Sequence, residues 1–395
     1  MPHNPAMLRP LALLAALFPL VACSTMSQPA SVRVAFDRDG IGPTRATGIA
    51  DPRSGRRVTI ADPVRIASIS KLVTAIALMR LVEAGVLDLD ADVSDRLGYR
   101  LRNPAFPDVP ITLRLLLSHR SSLRDAAGYV VPLGGRLSDT LADPRAWDRD
   151  HRPGDWFQYT NLNFPVIASV MERATGERFD LLAKRLVLAP LRIDACFNWE
   201  TCSDTAVARA VVLRDAAGVA DRDDFEGRRP VCSVVPAADG SCDLSTWQPG
   251  VNGALFSPQG GLRISMRDLA TIGRLIARGG EVDGVRLLQP ASIAALAQPE
   301  WTFDGRNGDT DLGFQCRYGL AMQTLATDRP GCRDDPFGDG VHRIGHAGEA
   351  YALRSGLWVD PVTGKGVAYF TTMVPDGVRA ERSGFSPAEE AMARR

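Results

Sequence analysis

Lysine is almost missing from this chain: of 46 basic residues only Lys71, Lys184 and Lys365 are lysine, and the rest are arginine. An excess of charge is missing too, since 46 acidic residues balance the 46 basic ones. With no surplus cation to neutralise phosphates, nucleic acid is excluded as a default partner. No C-x-x-C spacing occurs, so zinc and dithiol redox motifs lack their usual signature. No G-x-S-x-G elbow is present, which removes support for an α/β-hydrolase triad. "HRIGH" sets His342 and His346 four apart, but glycine-broken and without the H-E-x-x-H pattern of a helical metal site. Neither a P-loop nor a dinucleotide fingerprint is found, so no metal and no cofactor is expected. Repeats and long low-complexity segments are absent as well.

What the chain does have is enough apolar material, 45% of its 395 residues, for a large core with one or two lobes. Its N-terminus differs in kind. Arg9 precedes an apolar run from Leu11 to Ala22 that is too short to span a bilayer and has the form of a secretory signal. "LVAC" resembles the bacterial lipobox, which implies a signal peptide over 1–22, acylation of Cys23 and a polar tether over 23–30. The alternative is an ordinary signal peptide cleaved nearby. No Asp follows Cys23 to signal inner-membrane retention, so an exported protein on the periplasmic face is expected, at the outer membrane if the cell is Gram-negative. The six remaining cysteines fall into neighbouring pairs, Cys196 with Cys202, Cys232 with Cys242 and Cys316 with Cys332. These are expected to be disulfides of an oxidising compartment, although six cysteines allow 15 connectivities.

Alternating "SVRVAF" predicts a strand, and "TRATGIADPRSGRRVTI" a strand pair about its DPRSG turn. From Ala67 to Ala84 the sequence is apolar nearly all round, which predicts a central helix stopped by Gly85. Helical segments and irregular loops dominate 88–251, and strands return beyond Gly313 before a short terminal helix capped by Ser386. Strands at both ends and helices between predict an α+β fold. Its antiparallel sheet, flanked by helices, is built from 31–87 and 252–395, and a mainly helical lobe is inserted over 88–251. A site is expected in the crevice between the lobes.

The unusual lysine sits inside the predicted central helix. Ser68 and Lys71, three apart, share one helix face. A serine hydroxyl is a weak nucleophile until a base takes its proton, and arginine never deprotonates in a protein. A desolvated lysine can serve, because burial lowers its pKa. By itself an S-x-x-K pattern is weak. Its company is more specific: Ser68-Ile-Ser-Lys71, Tyr159-Thr-Asn161 and His346-Ala-Gly348 occur in the order found in the penicillin-recognising serine hydrolases. "ITLRLLLSHRSSL", "FQYTNLNFPVIASVMERATG", "QGGLRISMRDLATIGRLIARGG" and "GHAGEAYALRSGLWVDPVTGKGVAYF" resemble flanking segments of that superfamily, closest to its class C-like branch.

The resemblance implies the β-lactamase/transpeptidase-like fold and an acyl-enzyme mechanism on a small-molecule or peptide substrate. It implies Ser68 as nucleophile and Lys71 as its proton acceptor. Tyr159 would be a general base acidified beside Lys71 and then the acid for the leaving group. Asn161 would position Lys71 and bind substrate, and His346 and Gly348 would shape the substrate edge. The backbone amides of Ser68 and Glu349 would form the oxyanion hole. Two departures stand out. Many relatives have Lys-Thr-Gly where this chain has His346, so the fixed cation that meets an antibiotic's carboxylate is lost unless Arg343 or Arg354 restores it. Ser122 stands where a glycine is common, so the loop near Arg120 is expected to turn differently. The function implied is that of an esterase or a D-aminopeptidase- or carboxypeptidase-like hydrolase. The alternatives are a true β-lactamase, or a non-catalytic lipoprotein that uses the fold to bind peptidoglycan.

Overall fold

The computed structural model describes residues 28–394; Cys23 and the signal segment lie outside the described residues. The chain's two ends meet in one eight-stranded antiparallel sheet. Its order in space is Trp301–Thr302, Arg317–Tyr318, Gln323–Leu325, Arg343–Ala350, Leu353–Val359, Gly366–Thr371, Ser31–Phe36 and Ile41–Thr47. Ser31 pairs with Thr371 and Phe36 with Gly366, so the first strand is held in the sheet by the last. Alternating Val32, Val34 and Phe36 point into the core, as the period of "SVRVAF" predicts.

The later strands are apolar without alternation because both faces of the sheet are covered. Leu357, Val359, Ala368 and Phe370 lie in the main core with Leu269 and Ile272 of the helix Met266–Ala277. Trp358, Val367 and Tyr369 point the other way, onto Phe385 and Ala393 beside and within the terminal helix Pro387–Arg394. That helix begins with a reciprocal cap, in which the Glu389 carboxylate accepts from the Ser386 amide at 2.8 Å and Ser386 Oγ accepts from the Glu389 amide at 3.3 Å. The α+β arrangement expected from the sequence is the one observed.

Between the strand groups, the helix Asn163–Thr175 packs on the short helix Leu113–Leu117. The central helix runs from Ser70 to Glu83 and is preceded by a single 3-10 turn, Ala67–Ile69. Ser68 therefore sits just before the helix rather than in its first turn. Ser70 through Met79 are all buried, which explains the uniform apolarity of that stretch. Gly85 adopts a left-handed backbone (φ +69°) that ends the helix, as expected of glycine there.

All three neighbouring cysteine pairs are bonded: Cys196–Cys202, Cys232–Cys242 and Cys316–Cys332. Such a set fits an extracellular or periplasmic protein. Among the described residues, no helix is long and apolar enough to cross a membrane. The segment from Cys196 to Cys242 is stitched to the centre of the molecule by a second, three-stranded sheet. In it Leu262–Ile264 lies between Val64–Arg65 and Cys196–Phe197, directly beside the turn that carries Ser68.

Candidate active site

Ser68, Tyr159, Asn161, His346, Gly348 and Glu349 line one cavity of about 1220 Å³. Lys71 lies at its floor, with no exposed surface. The Lys71 amine is held by three oxygens: Ser68 Oγ at 3.1 Å, Asn161 Oδ1 at 2.8 Å and the Gln259 carbonyl at 3.0 Å. Two of these can only accept. A neutral amine donating to Asn161 and Gln259 therefore turns its lone pair to the Ser68 hydroxyl. Burial brings the Lys71 pKa down to about 7, opposed by the nearby Asp125 carboxylate.

Asp125 was not legible in the sequence. Its Oδ2 accepts from the Asn161 backbone amide and from Asn161 Nδ2, both at 3.0 Å, and its Oδ1 accepts from the Leu162 amide at 2.9 Å. These bonds leave Asn161 only one orientation, with Oδ1 facing Lys71. Asp125 opens the 3-10 turn Asp125–Ala127 with no spacing relation to the other motifs, and only the contact reveals it.

The loop carrying Tyr159 is held from behind by His119. The His119 Nδ1 accepts from the Thr160 amide at 3.0 Å, and its ring stacks on that of Tyr159 with centroids 4.4 Å apart. The Tyr159 ring in turn lies 4.8 Å from the Lys71 amine. One expectation changes here: beside Lys71 the phenol was expected to be acidified. Burial instead raises its pKa above the ordinary value, with only a partial opposing effect from Ser68. Tyr159 therefore remains a neutral phenol, and its hydroxyl has no well-aligned hydrogen-bond partner among the described residues.

His346 is neutral as well. Burial, reinforced by Lys71, lowers its pKa to about 3. Its Nδ1 faces the Ala347 carbonyl, so the proton is assigned to Nδ1 and Nε2 accepts from the Tyr318 hydroxyl at 2.8 Å. Neither arginine considered as a substitute cation reaches the site. Arg343 pairs with Asp339 at 2.8 Å, and Arg354 is fully buried against Glu349 at 2.7 Å. His342 is turned to the Leu325 carbonyl, and among the described residues no cluster of three or more metal-ligating side chains is found.

Gly348 has a steric reason. A Cβ there would sit 2.3 Å from the Ile66 carbonyl oxygen and 2.4 Å from Ser355 Oγ, because this strand packs directly on the Ser68 turn. Gly348→Ala is expected to cost about 1–3 kcal/mol, as overpacking does, read as a lower denaturation midpoint. A variant of unchanged stability would show that the turn and strand are not in contact. The turn is itself strained, since Ala67 has φ +48°. Ser122 also adopts a left-handed backbone, at φ +65°. The loop thus keeps the conformation that suits glycine rather than turning differently, and Ser122 Oγ accepts from Asn103 Nδ2 at 2.9 Å. The Cys196–Cys242 segment forms one wall of the cavity through Trp199, Arg222, Phe225 and Cys232.

The chain is similar to several known proteins. Esterase EstB of Burkholderia gladioli is 34% identical over 169 residues, which cover 38% of this chain and 42% of the esterase. The D-alanyl-D-alanine-carboxypeptidase/endopeptidase AmpH of Escherichia coli is 28% identical over 155 residues, covering 37% and 40%. The chain thus spans less than half the length of these curated relatives. Among solved structures, a D-stereospecific amidohydrolase from a Streptomyces species shares the fold. Its TM-score is 0.60 at 20% identity, over 95% of this chain and 96% of that one. The profile of the Beta-lactamase family matches residues 33–386, nearly everything from the first strand to the terminal helix, and the chain belongs to that family.

Proposed function

We propose that the protein is a serine hydrolase that cleaves an ester or amide through an acyl-enzyme on Ser68. The observation that carries this is the environment of Lys71: a sealed amine with a pKa near 7, two N–H bonds committed to carbonyls and its remaining direction facing Ser68 Oγ. In the first step Lys71 takes the Ser68 proton as Oγ attacks the substrate carbonyl, forming a C–O bond and a tetrahedral oxyanion. The backbone amides of Ser68 and Glu349 receive that oxyanion. Tyr159, a neutral phenol, gives its proton to the leaving group as the bond breaks and is reprotonated from Lys71. Water then repeats the sequence on the acyl-enzyme, releasing the acid and free Ser68.

The relatives' activities, esterase and D-alanyl-D-alanine carboxypeptidase/endopeptidase, support this class of reaction. The neutral His346 argues against efficient β-lactam hydrolysis, because no fixed cation stands at that position. The "LVAC" segment supports export and lipid attachment at Cys23, testable by fatty-acid labelling that is lost in Cys23→Ala.

The test is a pH profile of kcat/KM on a short-chain aryl ester. The Lys71 amine must be deprotonated to act, so activity should fall tenfold per pH unit below about 7 and level off above it. The Asp125 charge favours protonated Lys71, so Asp125→Asn should move that limb to lower pH while reducing kcat. A profile flat between pH 5 and 8 in the native chain would overturn Lys71 as the base.

A further inference from the structure

One wall of the cavity carries a guanidinium that, among the described residues, no carboxylate pairs with. Arg65 and Arg222 both lie over the ring of Tyr351, their guanidinium carbons 4.9 and 4.4 Å from its centroid. Tyr351 is fixed by a two-residue turn between the strands Arg343–Ala350 and Leu353–Val359, with left-handed backbone at Tyr351 and Ala352 (φ +53° and +52°). The neighbouring Arg263 is neutralised by buried Asp223 at 2.9 Å, and exposed Arg222 shares Asp221 at 3.0 Å. Arg65 differs. Its Nε donates to the neutral Gly260 carbonyl at 2.9 Å, and among the described residues no carboxylate pairs with it. A half-buried guanidinium without a counter-charge is costly unless a ligand supplies one. On the acidic side of the cavity Glu349 is paired with Arg354 at 2.7 Å and Asp311 with Arg379 at 3.4 Å, and Asp309, away from the two arginines, accepts from the Gln158 side-chain amide at 3.1 Å.

We infer that Arg65 and Arg222, both packed against Tyr351, form a subsite for a carboxylate, and that the substrate is an anionic ester or amide. The inference rests on the hydrolase reading and adds its substrate class. One arginine comes from the strand leading into the Ser68 turn and the other from the disulfide-stapled segment. A carboxylate bound there would be held between the catalytic floor and the wall that the stapled segment adds.

The experiment compares a mono-nitrophenyl glutarate, which keeps one free carboxylate, with its neutral methyl ester. The native chain should prefer the anion by about 10- to 100-fold in kcat/KM, mainly through KM, as a charge-assisted contact would give. That preference should fall towards parity in Arg222→Gln and weaken with added salt. Equal rates on the two esters, or a preference that survives in the Arg65→Gln/Arg222→Gln double variant, would overturn the subsite. If neither ester is turned over, the hydrolase reading fails, and calorimetric binding of both esters to Ser68→Ala then decides the subsite alone. Tighter binding of the anion that is lost on adding Arg222→Gln would uphold it; equal or undetectable binding would sink it.

Discussion

Replacing Ser68 with alanine is expected to remove turnover almost completely, by on the order of 10⁴- to 10⁶-fold in kcat, the scale on which acyl-enzyme hydrolases lose rate without their nucleophile. The fold should not notice. The Ser68 hydroxyl contacts Lys71, and the amine keeps its bonds to Asn161 and Gln259 when the hydroxyl is gone. A denaturation midpoint close to that of the native chain, together with lost activity, is the outcome to look for. Residual turnover within tenfold of native would mean that another group attacks the substrate.

Lys71→Arg is the second large effect, and the more diagnostic, because it preserves the charge. If Lys71 were only an electrostatic partner for the serine, arginine would retain much of the rate. The structure requires more of it. Its burial sets a pKa near 7, whereas a guanidinium stays protonated at any accessible pH. The variant should therefore lose about 10²- to 10⁴-fold, the usual contribution of a general base. The larger group must also fit where the amine has no exposed surface, so the melting temperature has to be measured alongside. Loss of rate in a variant that still melts cooperatively isolates the proton transfer. Near-native activity would refute the proton-acceptor role.

Much of this site could be read before any coordinates, for a physical reason. In a chain that otherwise encodes positive charge as arginine, a lysine within an apolar helix marks a position where the proton must be able to leave. Ser68, Lys71, Tyr159, Asn161, His346 and Gly348 lie within short motifs whose spacing is fixed by a turn, a loop or a strand; the structure brings five of them to the lining of one cavity, with buried Lys71 bonded to Ser68 and Asn161. The cysteine pairs were legible because short loops favour neighbours.

Other features depend on contacts that no local pattern encodes. Asp125 acts through the backbone amides of a loop 36 residues away. The direction of the Tyr159 shift depends on how completely the phenol is buried, which the motif does not state. Ser122 adopts its left-handed turn despite lacking the residue that makes such a turn easy, at a cost of about 1–2 kcal/mol. Its bond with Asn103, 19 positions earlier, is invisible in the sequence. The course of the Cys196–Cys242 segment is likewise set by a distant contact. Its place in the cavity wall follows from the pairing of Cys196–Phe197 with Leu262–Ile264.

The most direct test is covalent capture of the nucleophile. The native chain is treated with a fluorophosphonate, its intact mass measured, and the modified peptide mapped. A single adduct on Ser68, formed faster as pH rises through 7 and absent from Lys71→Arg, is the predicted result. A stable adduct on any other residue, or no reaction at Ser68 in a chain that still hydrolyses esters, would contradict the assignment of serine, amine and phenol as one catalytic unit.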